Sequence, residues 1–241
     1  MPDLADSLHW ARLGADTFAK VLAALDDDQF PLPSSLGGFT RAELAWHVIE
    51  LVADAATALN PGTDDPGSTP DEAAVTEAPD TGPELREAYR LVAKELNAAL
   101  ALRPNRGDWA DPVDFDGQEH VAAEVLFQVA SELLIHATDL STPGPEDGDR
   151  DTSEVVTLGR LPVEFLGAFI SQIISERGHE TPQTLEILSQ DTGEGWRLEG
   201  PGDAMRVMGR ASDVVAWLGG RPGGKVKVLG QGTLPDIGPW F

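Results

Sequence analysis

The sequence predicts an α+β protein in which a bundle of four long helices precedes a smaller domain of mixed helices and strands. Three observations carry this reading. Up to residue 142, apolar residues recur with the helical period in four separate segments. From Thr184 onward, short apolar runs alternate with period two, as strands do. Between these regimes lies the turn-rich run PGPEDGDRD at residues 143–151. The expected division is therefore residues 1–144 and residues 145–241.

Taken in order, residues 3–26 read as a first helix, with Leu4, Leu8, Ala11, Phe18, Val21, Leu22 and Leu25 in period. Asp26, Asp27 and Asp28, followed by Pro31 and Pro33, stop it. Its His9 has no ligand-type neighbour at helical spacing and reads as a surface or packing histidine. A second helix starts at Arg41, because Thr40 and Glu43 form a capping box. His47 lies at the edge of its Leu44, Val48, Leu51, Ala55 face. Residues 60–83, rich in Pro, Gly and acid, read as a long loop, most simply a tolerated insertion. A third helix runs from Pro83 to Leu102, and Asp116-Gly117 predicts the turn of a small hairpin. The fourth helix covers residues 124–140. Residues 153–177 read as helical with a break near Pro162. Strands follow at 185–188, 196–198, 205–208 and 226–228, with a short helix from Ala211 to Leu218. The run GGRPGG is a turn and lacks the Lys-Ser/Thr of a phosphate-binding loop.

The fourth helix, EVLFQVASELLIHATDL, organises the rest. Val121, Val125, Val129 and Leu140 fall on one narrow stripe, and Glu132 and His136 fall in its middle. An unpartnered polar group there costs about 1–3 kcal/mol, and a charge more. Four residues apart, the two side chains stand one above the other, as two ligands of one metal ion would. His47, on a second helix, is the candidate third ligand. Two imidazoles and a carboxylate suit zinc with an open fourth position, and they also suit non-heme iron, nickel or manganese. Asp139 lies near the same face, where it either orients a ligand histidine or caps and pairs near the helix end.

Composition narrows the function classes. The formal charge is −24, from 17 basic and 41 acidic residues. Such a surface repels phosphate backbones and anionic lipid, so nucleic acid and membrane are not expected partners. Cysteine is absent, which excludes disulfides, thiolate zinc sites and a cysteine nucleophile, so thiol chemistry needs a thiol from solution. No apolar run approaches a membrane span, and the first residues lack the pattern of a signal peptide. The expected location is cytoplasmic, and a monomer is the expected state.

These residues reach a known family. The ARLG at residues 11–14, GFTRAELAWHV, SELLIHATDL, GRASDVVAWLGGR and the ending GTLPDIGPWF make the chain resemble the mycothiol-dependent maleylpyruvate isomerases. The resemblance implies a DinB-like metal-binding four-helix bundle followed by a sterol-carrier-like α+β domain. It implies that His47, Glu132 and His136 bind zinc or another divalent metal, and that mycothiol is the cofactor. It also implies that Arg221, which the residues alone read as a helix-end cation, is functionally important. The activity implied is cis-trans isomerisation of maleylpyruvate to fumarylpyruvate by thiolate addition, bond rotation and elimination. Ser131 stands where family members often carry an arginine. The alternatives are a mycothiol S-transferase acting on electrophiles, and a non-catalytic metal-containing protein whose second domain holds an apolar ligand.

Overall fold

The structure, a computed structural model, describes residues 2–60, 79, 81–142, 155–177, 181–221 and 224–238. Most of the expected insertion at 60–83, the turn-rich run after Thr142, Pro222 and the last three residues lie outside these. The chain divides into two compact units, Met1–Val156 and Thr157–Phe241. The division expected after residue 144 falls among residues outside the description. Val155 and Val156 stay with the first unit: the Val156 N–H donates to the Ser141 hydroxyl at 2.8 Å.

The first unit contains α1 (Leu4–Ala24), α2 (Arg41–Ala58), α3 (Gly82–Ala101) and α4 (Ala122–Ser141). Helix α1 packs on α4, α4 on α2, α2 on α3, and α3 more lightly on α1, which closes a four-helix ring. Gly14 lets α1 approach α4 closely, since a Cβ there would stand 2.8 Å from the Leu133 Cβ. Helix α2 begins where the capping box puts it. Thr40 N–H donates to Glu43 Oε2 at 2.8 Å, and Glu43 N–H donates to the Thr40 hydroxyl at 3.2 Å. Strands β1 (Pro112–Phe115) and β2 (Gln118–Val121) pair antiparallel about Asp116 and Gly117, whose φ values are 53° and 69°. Two successive positive φ angles match the right-handed twist of a tight hairpin. Helix α4 follows β2 directly.

The fourth helix differs from its expected form. The periodicity predicts one apolar stripe, but α4 is buried on nearly every side, with every residue from Leu133 to Ser141 in the interior. It reads as the central element of its unit. The expected helix over 153–177 also changes. Val155 to Thr157 are not helical, a short 3-10 turn covers Leu158–Arg160, and α5 starts at Val163. Pro162 is the cause: it forces Leu161 into an extended conformation, φ −72° and ψ 152°, so no helix runs through.

The second unit contains α5 (Val163–Arg177), β3 (Leu185–Ser189), β4 (Gly195–Leu198), β5 (Met205–Gly209), α6 (Ala211–Leu218) and β6 (Lys227–Val228). The sheet order is β4-β3-β5-β6, with β3 and β5 parallel and the outer pairs antiparallel. Leu185, Ile187 and Val207 point into the core, where α5 and α6 pack. The alternate residues face outward, and Glu186 there binds Arg206 at 2.7 Å and Arg197 at 3.1 Å. Among the described residues, no helix is long and apolar enough to cross a membrane.

Candidate metal centre

The capping box fixes the start of α2 and so sets His47 two turns in, on the side where α2 meets α4. Glu132 and His136 stand one turn apart on α4. One nitrogen from each histidine and one carboxylate oxygen lie within 4.8 Å of one another. Glu132 Oε2 is 2.9 Å from His136 Nε2 and 3.8 Å from His47 Nε2. The two rings meet edge to face, 5.8 Å apart at 81°. Donors on a tetrahedral zinc ion at its usual bond lengths stand roughly 3.3 Å apart, so this triangle has the size of a single-ion site.

Burial across the triad is graded. The His47 side chain is 48% exposed, that of Glu132 13% and that of His136 1%. The site therefore opens to solvent at its α2 edge and is closed at its α4 side. His9, by contrast, is exposed on α1 and takes no part among the described contacts of this cluster.

Asp139 lies directly against His136. Its Oδ2 lies 3.0 Å from His136 Nδ1, and its side chain is 1% exposed. Donation from Nδ1 leaves the neutral ring's Nε2 as a lone pair facing the Glu132 carboxylate. Two lone pairs at 2.9 Å repel unless a cation stands with them. In the metal-free protein that cation is a proton, and the donor set equally fits a divalent metal ion. The ionisation states agree. Burial raises the Glu132 carboxyl, but hydrogen bonds and charge from His136 and His47 outweigh this and hold it at about 2. Burial likewise disfavours the His136 imidazolium, yet Asp139 and Glu132 together raise it to about 8.

Residues 35–41 complete the surroundings, and the sequence gives no sign of this. The Ser35 N–H and hydroxyl both donate to the Asp139 carbonyl, at 3.2 and 3.1 Å. Arg41 is fully buried. Its Nε donates to the Leu140 carbonyl at 3.1 Å and its Nη2 to the Thr142 carbonyl at 3.3 Å. These are carbonyls of the last turn of α4, which an isolated helix leaves unsatisfied. Ser131 is buried, and its hydroxyl donates to the Phe127 carbonyl at 2.9 Å.

Arg221 lies in the second unit, just after α6. Its N–H donates to the Ala216 carbonyl at 2.8 Å, and its side chain is buried. The guanidinium folds back over Gly219, where a Cβ would stand 2.4 Å from Nη1. A side chain at position 219 would displace it.

Residues 11–141, more than half of the chain, match the family model of the mycothiol maleylpyruvate isomerase N-terminal domain. No curated protein matches the chain. One similar solved structure is a histidine-to-alanine mutant of a mycothiol-dependent maleylpyruvate isomerase, with a TM-score of 0.76 at 23% identity, covering 99% of this chain and 98% of that one. Another is a mycothiol-dependent maleylpyruvate isomerase with a TM-score of 0.73 at 24% identity and the same coverage. At these identities the two structures speak to the fold. The family model spans α1 to α4 and with them His47, Glu132, His136 and Asp139, so the chain belongs to the family marked by the mycothiol maleylpyruvate isomerase N-terminal domain.

Proposed function

We propose that this protein is a metal- and mycothiol-dependent cis-trans isomerase of maleylpyruvate-type substrates, with zinc held by His47, Glu132 and His136. The observation that carries the reading is the triad itself: three convergent donors, closed on the α4 side and open at the His47 edge. Catalytic zinc sites have three protein ligands and one position left for water or substrate. Bound there, zinc would hold the mycothiol sulfur as a thiolate at neutral pH, whose reversible addition across a cis double bond allows rotation before elimination gives the trans product.

The chain's own residues perform the supporting work. Asp139 keeps the proton on His136 Nδ1, so Nε2 stays a donor to the metal. Glu132 supplies one negative charge from a largely buried position, which offsets part of the charge of a bound divalent cation. His47 forms the accessible wall through which a thiol and a substrate enter. Arg221 is assigned the substrate carboxylate, on the strength of the family resemblance. In a protein of charge −24, an anionic substrate needs one specific cation, and a planar guanidinium grips a carboxylate with two hydrogen bonds.

The test mixes zinc-loaded protein with mycothiol and maleylpyruvate and follows substrate absorbance together with free thiol. Isomerisation changes the absorbance at constant thiol. A fall in thiol that matches substrate loss replaces this reading with an S-transferase. No change in either removes both enzymatic readings.

A further inference from the structure

We propose that Ser35 is a positioning residue of the metal centre, holding the Asp139 carboxylate at the angle at which His136 turns Nε2 toward Glu132 and His47. This rests on the metal-site reading above. Ser35 makes two kinds of contact with Asp139. Its backbone N–H donates to the Asp139 carbonyl at 3.2 Å, which serves the end of α4. Its hydroxyl reaches the same carbonyl at 3.1 Å and the carboxylate Oδ1 at 3.3 Å. The hydroxyl has a single proton, which these two oxygens share, whereas the backbone N–H serves the carbonyl alone. The share that falls on Oδ1 is what the backbone contact does not supply.

The carboxylate has one oxygen on each side of this relay. Oδ2 faces His136 Nδ1 at 3.0 Å, and Oδ1 faces the Ser35 hydroxyl. Rotation about the Cβ–Cγ bond of an aspartate is soft, with a broad torsional well. A donor on Oδ1 removes that freedom and fixes Oδ2 against the ring. The ring in turn pivots on its own Cβ, so a swing of the carboxylate is passed to Nε2. Outer partners of metal-binding histidines act in this way, and losing one lowers metal affinity by about 10- to 100-fold. Ser35 acts one step further out than Asp139 and from a different part of the chain, 104 residues away.

The experiment measures zinc affinity by competition with a chromophoric chelator, alongside thermal melting of the metal-free proteins. Wild type is compared with Ser35→Ala and Ser35→Thr. Ser35→Ala keeps the backbone contact and loses the hydroxyl; Ser35→Thr keeps both. The expected result is zinc binding about tenfold weaker in Ser35→Ala and within about threefold of wild type in Ser35→Thr, with similar metal-free melting in all three. Should Ser35→Ala not fold, Ser35→Val against Ser35→Thr offers the same contrast at matched shape. Unchanged affinity without the hydroxyl overturns the proposal, and so does an equal loss in the threonine variant. A loss of affinity that merely follows a loss of metal-free melting temperature also overturns it. Wild-type protein that binds no zinc removes the metal-site reading itself, an outcome distinct from these.

Discussion

The graded burial of the triad predicts that two ligand substitutions will have equal effects on metal binding and unequal effects on stability. His136→Ala removes a ring whose side chain is 1% exposed and that stands between Asp139, also 1% exposed, and Glu132. In the metal-free protein this leaves a buried carboxylate without its cationic partner. Breaking a buried pair from one side costs about 3–5 kcal/mol. That is less than the roughly 5–15 kcal/mol of a typical domain, so the helices stay folded at 25 °C but melt earlier. For a unit of this size the shift is about 6–20 °C. His47→Ala removes a ring that is 48% exposed and 3.8 Å from Glu132, a contact worth no more than about 1 kcal/mol. Both variants should lose most of their zinc. The assay is elemental analysis of the loaded proteins and calorimetry of the metal-free ones. Equal destabilisation by the two substitutions would refute the burial argument. Wild-type metal content in either would remove that residue from the ligand set.

The ionisation of His136 and the placement of Arg221 carry the remaining predictions. His136 is raised from its usual value to about 8 in the metal-free protein, so its stabilising contribution is complete below pH 6.5 and is lost as pH rises to about 8. Zinc affinity should rise through that window, because ligation needs the neutral ring; melting and metal titration from pH 6 to 9 should show these opposite slopes, and parallel slopes would contradict it. Arg221→Lys should keep its metal and lose about ten- to a thousandfold in kcat/KM toward an anionic substrate, the size of one charge-assisted contact. Gly219→Ala should do the same by displacing the guanidinium, and steady-state kinetics beside a metal assay checks both.

Local rules made most of the architecture legible. The Thr40 and Glu43 capping box placed the start of α2, and the bounds expected for α6 coincide with the observed Ala211–Leu218. The Asp116-Gly117 turn needed only its two residue types. Spacing also selected Glu132 and His136, because a one-turn separation on a helix is itself a statement about distance. What escaped the sequence depends on contacts between distant segments. Periodicity shows a stripe on α4 but not that neighbouring helices cover its other faces. Nothing local marks Arg41, at the first turn of a helix, for burial, and its partners are carbonyls 99 and 101 residues away. Ser35 has no local signature for the same reason.

The order in which the centre can be assembled follows from these separations. Glu132 and His136 belong to one helix and become neighbours as soon as α4 forms, on the fast timescale of helix growth. Ser35, Arg41 and His47 join only when the chain has closed a loop of about a hundred residues, an entropic step that depends weakly on length but has to precede any reward. A metal ion shared between His47 and α4 would then act as a cross-link across that closure. In a chain without cysteine, it would take the part a disulfide plays elsewhere by another route: it binds only the assembled site, stabilises the folded unit by mass action and slows the escape of α2 from α4. The ion would thus be a clasp on the long-range topology of the helical unit as well as a partner in its chemistry.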